Sequence, residues 1–440
     1  MRSAPDESPL GVGDVAASAA RAGAIRHFLQ SGVAYWALML LAGLSNLVFT
    51  VLAARFLGPD AYGIMLSLTT LINVILIAST AVTRTATAVV AATADRGVSA
   101  WILQRGTGTM VLAGLFLMGI IGVLARPLAD FLHLSHPAWI WIVGAAMVPC
   151  LAGGITTGIL QGMRMFSTSG GVNLSGAAMK LGALVLLLDA GLGVTGATLA
   201  TLFETTVIWV GGMVILYRML RGVARTAPGH AGAARSLFTL PAALSLARLV
   251  FFNLDILLAK HYLSAEQAGL FGALAMTGRI IAYGTGALPP VVYPYLVRHR
   301  SDRALSLRYL LLCQLATAVT GTAAVAALVL APSTVVDIVY GSKYVAGVAP
   351  FVGWYGLAFL LYSLMYVTLH YLLAIESRQV WVYAAGGGVV ELVAMVIFHR
   401  GIGALTAVEV VFFGVLFIVT STHAVVALAR TPATAAPASQ

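Results

Sequence analysis

The segment LLLCQLATAVTGTAAVAALVLA (310–331) runs 22 residues without a charged side chain and is apolar on all sides. A bilayer core about 30 Å thick needs about 20 apolar residues in a helix, so a segment of this kind is long enough to cross one. Membrane barrels alternate apolar and polar residues along each strand, and this run does not. Helices are therefore the reading, since every backbone polar group must be satisfied within the membrane. Comparable runs recur at 32–54, 62–92, 103–125, 138–160, 171–190, 196–220, 237–259, 269–297, 308–331, 348–373, 380–398 and 401–428. Composition agrees, with 60% hydrophobic and 9% charged residues in 440, where a soluble domain carries about a quarter charged. The fold class is an all-α polytopic membrane protein of about 12 transmembrane helices.

An even number of crossings puts both termini on one side, and the basic residues choose that side. With the N-terminus inside, cytosolic segments hold sixteen Lys and Arg against five in the outer loops, the bias of the positive-inside rule. The net charge of +10 is spread over these loops and forms no single patch, so it points to membrane orientation and away from nucleic acid. Residues 1–27 read as a cytosolic tail, without the basic start, short apolar core and small-residue cleavage site of a secretory signal. The longest cytosolic connection, RMLRGVARTAPGHAGAARS (218–236), lies halfway along the chain and carries four Arg with Pro and Gly. It divides the chain into an N-terminal six-helix bundle (28–220), a linker (221–236), a C-terminal bundle (237–430) and a tail (431–440).

The two bundles read as copies of one unit. Moving 206 positions sets LAARFLGPDAYG (52–63) against LAKHYLSAEQAG (258–269), pairing Arg55 with His261 and Asp60 with Glu266. A second echo sets GLGVTGA (191–197) against GIGALTA (401–407).

Ionisable groups inside the spans are the candidate functional residues. Eight such groups facing lipid, at roughly 2.5 to 3.5 kcal/mol each, would cost on the order of 20 kcal/mol or more, so they must face one another or water. The cations are Lys180, Arg248, Arg279 and, nearer a cytosolic helix end, Arg84; the anions are Asp255, Glu204, Glu391 and Glu409. At about 1.5 Å per residue, Lys180, Arg248 and Arg279 all fall roughly 14 to 17 Å deep. Sites in repeat-built transporters lie near the midplane between the repeats, so these three predict a wet cationic cavity between the bundles that holds an anionic substrate. The structural alternative pairs them with Glu391, Glu204 or Asp255. Glu391, Glu409, Glu204 and Asp255 are candidates for ion coupling or gating.

The remaining features point to architecture. Pro289, Pro290 and Pro294 predict a bend late in the eighth span, and Gly386, Gly387 and Gly388 allow close packing. Cys150 and Cys313 read as packing residues, and His370, His399 and His423 as structural ones. No loop is long enough for an extramembrane catalytic domain, and no nucleophile, metal or phosphate-loop motif is evident. An enzyme is not expected, nor a cofactor beyond a coupling H+ or Na+.

RFLGPDAYGIMLSLTTL (55–71), NLDILLAKHYLSAEQAGLFGALAMTGRI (253–280), GLGVTGA (191–197) and IVYGSKYVAG (338–347) together resemble the polysaccharide-biosynthesis exporters. These belong to the multidrug/oligosaccharidyl-lipid/polysaccharide exporter superfamily. The resemblance extends over most of the chain. It implies a V-shaped pair of six-helix bundles in a bacterial inner membrane that flips a polyprenyl-pyrophosphate-linked oligosaccharide to the outer leaflet by alternating access. Basic cavity positions carry over onto Lys180, Arg248, Arg279 and Arg84. The partners implied are the lipid-linked glycan, membrane lipids and glycan polymerase or glycosyltransferase machinery. The peptidoglycan-precursor branch has two additional helices that this sequence does not offer. The rival readings are a cation-coupled multidrug exporter of the same fold and a non-transporting scaffold for a polysaccharide-assembly complex.

Overall fold

The computed structural model describes residues 12–227, 251–286, 288–298 and 302–430. The described residues form helices joined by tight turns, with no strand among them. The expected linker lies largely outside the described residues, as does Arg248, and the C-terminal tail lies wholly outside. In chain order the helices are α1 (Val12–Thr93), α2 (Arg96–Val123), α3 (Ala125–Phe131), α4 (Ala138–Gly162), α5 (Phe166–Asp189), α6 (Gly193–Leu220) and α7 (Leu254–Tyr262), then α8 (Ala265–Thr285), α9 (Leu288–Arg298), α10 (Arg303–Leu330), α11 (Pro332–Tyr340), α12 (Ser342–Ala374), α13 (Gln379–Ile397) and α14 (Ile402–Arg430).

Nine of the described helical stretches are long and apolar enough to cross a membrane. One of these, Ala37–Thr93, has 57 residues and at about 1.5 Å per residue is far too long for one crossing. It breaks at Gly58, whose φ of 74° only glycine adopts without strain. Pro59 follows and opens the second arm, where a missing N–H does no harm. Helix α1 starts at Val12 and so extends into the segment expected as a tail. The bend expected from the prolines is matched by a break between α8 and α9, with Pro289 and Pro290 in the first turn of α9, where their missing amide N–H leaves no intrahelical bond unmade.

The duplication is visible as repeated local solutions. Asp95 caps α2 by accepting from the Gly97 amide at 2.7 Å, and Asp302 caps α10 by accepting from the Leu305 amide at 3.1 Å. Gly191 and Gly401 both turn through positive φ, 78° and 134°, at the two echoed motifs. Short helices absent from the sequence reading, α3 and α11, occupy matching places before α4 and α12. Their residues are too few to span and half of each is polar or exposed, which is why apolar-run length passed over them.

Candidate functional site

The halves meet through the first landmark of the repeat. Helix α1 beyond Gly58 packs on α8 so tightly that a Cβ on Gly63 would lie 2.7 Å from the Gly269 amide nitrogen, and one on Gly269 would overlap the Pro59 carbonyl. Tyr62 sits between Tyr340 and Tyr344, with ring centroids 6.4 and 6.1 Å away, and the Tyr344 hydroxyl donates to the Ala54 carbonyl at 3.0 Å. Arg55 donates to the Val339 carbonyl at 3.2 Å and to those of Asp337 and Ile338, at the C-terminus of α11. His261 Nδ1 donates to the Phe131 carbonyl at 2.7 Å, at the C-terminus of α3, and its ring stacks on Phe131 at 4.1 Å. These contacts make a seal at the end of the molecule that carries Arg55.

Away from the seal the same helix faces separate. Tyr62, Leu66, Asn73, Thr80 and Arg84 are spaced 4, 7, 7 and 4 residues apart and therefore share one side of α1 at 3.6 residues per turn. Tyr62 and Leu66 are buried against the other half, whereas Thr80 and Arg84 are exposed. On α8, Gly269, Met276, Ile280 and Tyr283 likewise share a side; Gly269 is buried, while Ile280 and Tyr283 are 38% and 56% exposed. Two faces that touch at one end and are exposed at the other enclose a cleft. Its N-terminal wall is polar and cationic, through Asn73, Thr80 and Arg84, and its C-terminal wall carries Met276, Ile280 and Tyr283.

Lys180 and Arg279 do not converge in this cleft as expected. Lys180 pairs with Glu204 in its own half at 2.9 Å, donates to Asn46 Oδ1 at 3.1 Å and lies over the Phe49 ring at 4.2 Å. Arg279 pairs with Asp255 in the other half at 2.7 and 2.8 Å. The physical reason is desolvation: a bare buried cation costs several kcal/mol, and each has recruited a nearby carboxylate. Asp255 is 0% exposed and also accepts from the Tyr355 hydroxyl and the Ile256 amide, both at 2.8 Å. Four hydrogen bonds from three donor groups fill the lone-pair sites of a carboxylate, which leaves Asp255 as a structural anchor of the C-terminal half.

Glu391 and Glu409 are different. Both are fully buried, neither has a hydrogen-bond partner on either oxygen, and they lie close enough to each other and to Asp255 to interact. Among the described residues no group of three His, Cys, Asp or Glu side chains forms a metal site. His370, His399 and His423 bond to the Tyr366 carbonyl, the Val396 carbonyl and the Tyr383 hydroxyl respectively, in keeping with structural roles. Cys150 and Cys313 are buried free thiols.

The sequence reading did not single out Asn73, Thr80 and Tyr283, because uncharged residues do not stand out in an apolar alphabet. The 4-7-7-4 spacing running down from the echoed motif was the available signal.

A family model described as "Polysaccharide biosynthesis protein" matches residues 51–349. The chain belongs to this family. No match was found among curated protein sequences. The fold of this polysaccharide-biosynthesis family member is similar to that of an inward-facing multidrug-resistance MATE transporter of the MOP superfamily, with TM-score 0.73 and 13% identity over 90% of this chain and 96% of the other. It is also similar to the lipid II flippase MurJ in an inward closed conformation, with TM-score 0.65 and 13% identity over 90% and 87%. A MOP superfamily transporter from Pyrococcus furiosus, whose binding pocket is described as of reverse polarity, aligns with TM-score 0.63 and 14% identity over 91% and 95%. Family and fold together make this a multi-pass membrane protein of the polysaccharide-biosynthesis family, with nine described helical stretches long and apolar enough to cross a membrane and a fold shared with these three structures.

Proposed function

We propose that the protein flips a polyprenyl-pyrophosphate-linked oligosaccharide from the inner to the outer leaflet of a bacterial inner membrane by alternating access. The observation that carries this reading is the cleft itself, closed at the Arg55 end and open beyond Leu66, with Arg84 exposed on its polar wall. A pyrophosphate and its sugars cannot cross hydrocarbon without losing their hydration. An exposed guanidinium and neighbouring hydroxyl and amide groups replace that hydration with charge-assisted and neutral hydrogen bonds, while the polyprenyl tail stays in lipid. Lys180, loosely capped by a Glu204 side chain that is 15% exposed, serves as the second cation, released to the cargo when the halves move. Arg279 supports the C-terminal wall, and Arg248 is proposed as a further cation for the anionic cargo. The excess of basic residues in one set of loops orients both termini to the cytosol, so that the cleft opens inward and the seal faces out.

Direction is supplied by a coupling ion. Glu391 and Glu409 are buried carboxyls without a hydrogen-bond donor, which suits them to bind a proton or a sodium ion during the cycle. Glycosyltransferases or a glycan polymerase would supply and consume the cargo.

Deletion of the gene tests the function directly. The lipid-linked glycan should accumulate in the inner leaflet and surface polysaccharide should disappear; unchanged surface glycan would remove the proposal. A multidrug exporter would instead give efflux of cationic dyes in a sensitive host with no glycan phenotype, and a scaffold would export glycan unchanged after Arg84→Ala and Lys180→Ala.

A further inference from the structure

In the C-terminal half a cavity of about 220 Å³ lies beside the cleft, lined by Phe252, Ala282, Tyr283, Gly286, Tyr362 and Tyr366. It begins one turn beyond Arg279 on α8. Ala282 on α8 and Gly286 just past its C-terminal end, four residues apart, contribute no long side chain to this part of the lining. Its rings hold one another in place. The Phe252 centroid is 4.9 Å from Tyr362 and 5.9 Å from Tyr283, and Tyr362 stacks on Tyr366 at 5.8 Å and 16°. Tyr283, on the cleft face of α8, stands at the mouth.

Three chemistries could fill such a hollow, and its composition discriminates among them. Pockets for drug-sized molecules run about 300–1,000 Å³, larger than this one, and no carboxylate is present to meet a cationic drug. A polyprenyl chain needs only aliphatic contact, yet three of the four rings carry hydroxyls. A pyranose ring has an apolar face of C–H bonds and a rim of hydroxyls, and tyrosine matches both with its flat face and polar tip. Size agrees with one sugar.

We propose that this pocket is a sugar subsite, in which Tyr283 and Tyr366 stack a single pyranose of the lipid-linked cargo while the opposite wall takes the pyrophosphate. This division of labour rests on the flippase reading and adds to it the means of glycan selection. The polar stripe from Asn73 to Arg84 would engage any polyprenyl pyrophosphate, whereas the aromatic pocket responds to the sugar attached. Shape rather than charge then sets which glycan is carried.

The test uses the purified full-length protein and four lipids: bare undecaprenyl pyrophosphate and the same lipid carrying glucose, galactose or N-acetylglucosamine. Binding is read by native mass spectrometry with a thermal-stability control. The wild type should bind at least one glycosylated lipid about tenfold more tightly than the bare lipid, an advantage of 1.4 kcal/mol. Tyr283→Ala and Tyr366→Ala should each erase that advantage and leave the affinity for bare lipid unchanged, while Tyr283→Phe and Tyr366→Phe should retain most of it. If Tyr366→Ala fails to fold, Tyr283→Ala decides alone, since Tyr283 is 56% exposed. Equal binding of all four lipids by the wild type, or survival of the advantage in both alanine variants, would overturn the subsite but not the flippase. Weakened binding of bare lipid by the alanine variants would assign the pocket to the prenyl chain and also overturn it. Failure of the wild type to bind any of the four would bring down the flippase reading itself.

Discussion

Arg55 and His261 stand 206 residues apart at equivalent positions of the two halves, and each donates to the C-terminal carbonyls of a short helix in the half opposite. Arg55 caps α11 through the carbonyls of Asp337, Ile338 and Val339, and His261 caps α3 through that of Phe131. The last carbonyls of a helix lack intrahelical partners and carry partial negative charge, so a donor from the other half is well matched to them. Duplication makes the arrangement reciprocal: each copy of the motif supplies a donor, and each copy of the short helix supplies an acceptor.

Removing one of these clasps should loosen the seal without unfolding either half. Hydrogen bonds from a charged donor contribute about 1.5–3 kcal/mol, which solvent exposure at Arg55 reduces to about 1 kcal/mol. Arg55→Ala should therefore shift the equilibrium roughly fivefold toward opening at that end. Spin labels placed across the seal should show a second, longer distance whose population rises in the variant; an unchanged distance distribution would show that the tyrosine cluster alone holds the seal.

The approach of Gly63 to Gly269 has a steeper consequence. A Cβ at either position meets backbone of the opposite half, not a flexible side chain, so the only relief is separation of α1 from α8. Gly269→Ala should block closure, reduce transport by at least about tenfold and leave cysteines introduced at the seal permanently reactive to aqueous reagents. Ala at Gly43, where nothing lies within 4 Å, is the control and should behave as wild type.

The Arg279–Asp255 pair is buried on both sides, with side chains 2% and 0% exposed. Losing one partner strands a charge in a low dielectric and should cost about 3–5 kcal/mol, whereas replacing both with apolar residues of similar volume is often neutral or better. Asp255→Leu alone should lower the melting temperature sharply in detergent, and Asp255→Leu with Arg279→Met should recover most of the loss. A double variant no more stable than the single one would mean that the Tyr355 and Ile256 bonds to Asp255, and not the ion pair, hold α7 in place.

Much of the fold was legible from two signals, the length of apolar runs and the 206-residue echo, because membrane burial and gene duplication both leave marks on residue type. The site was less legible. Depth along a helix is readable at a fixed rise per residue, but azimuth is not, when nearly every side of a membrane helix is apolar. Lys180 and Arg279 share a depth by residue counting, and that suggested a common cavity. In three dimensions Glu204 and Asp255 lie nearer to them than the other half does, and charge neutralisation decides the outcome. Arg84, placed near a helix end, proves to be the exposed cation among the described candidates because it falls in register with Tyr62 and Leu66, whose partners on α8 diverge beyond the seal.

Glu391 and Glu409 lead to the last prediction. Neither carboxyl has a donor, and both are shut off from solvent, so a charge-free amide of equal volume should be tolerated structurally. Glu391→Gln and Glu409→Gln should keep the melting temperature within a few degrees of the wild type, because a buried polar group without partners is no worse off when it cannot ionise. Their effect should fall on energetics. In proteoliposomes, flipping by the wild type should accelerate when a proton or sodium gradient is imposed, and each glutamine variant should flip at one rate with or without it. Retained gradient dependence in both would mean that these carboxyls only pack α13 against α14, and that the driving force enters elsewhere, with the membrane potential acting on the anionic cargo as the next term to measure.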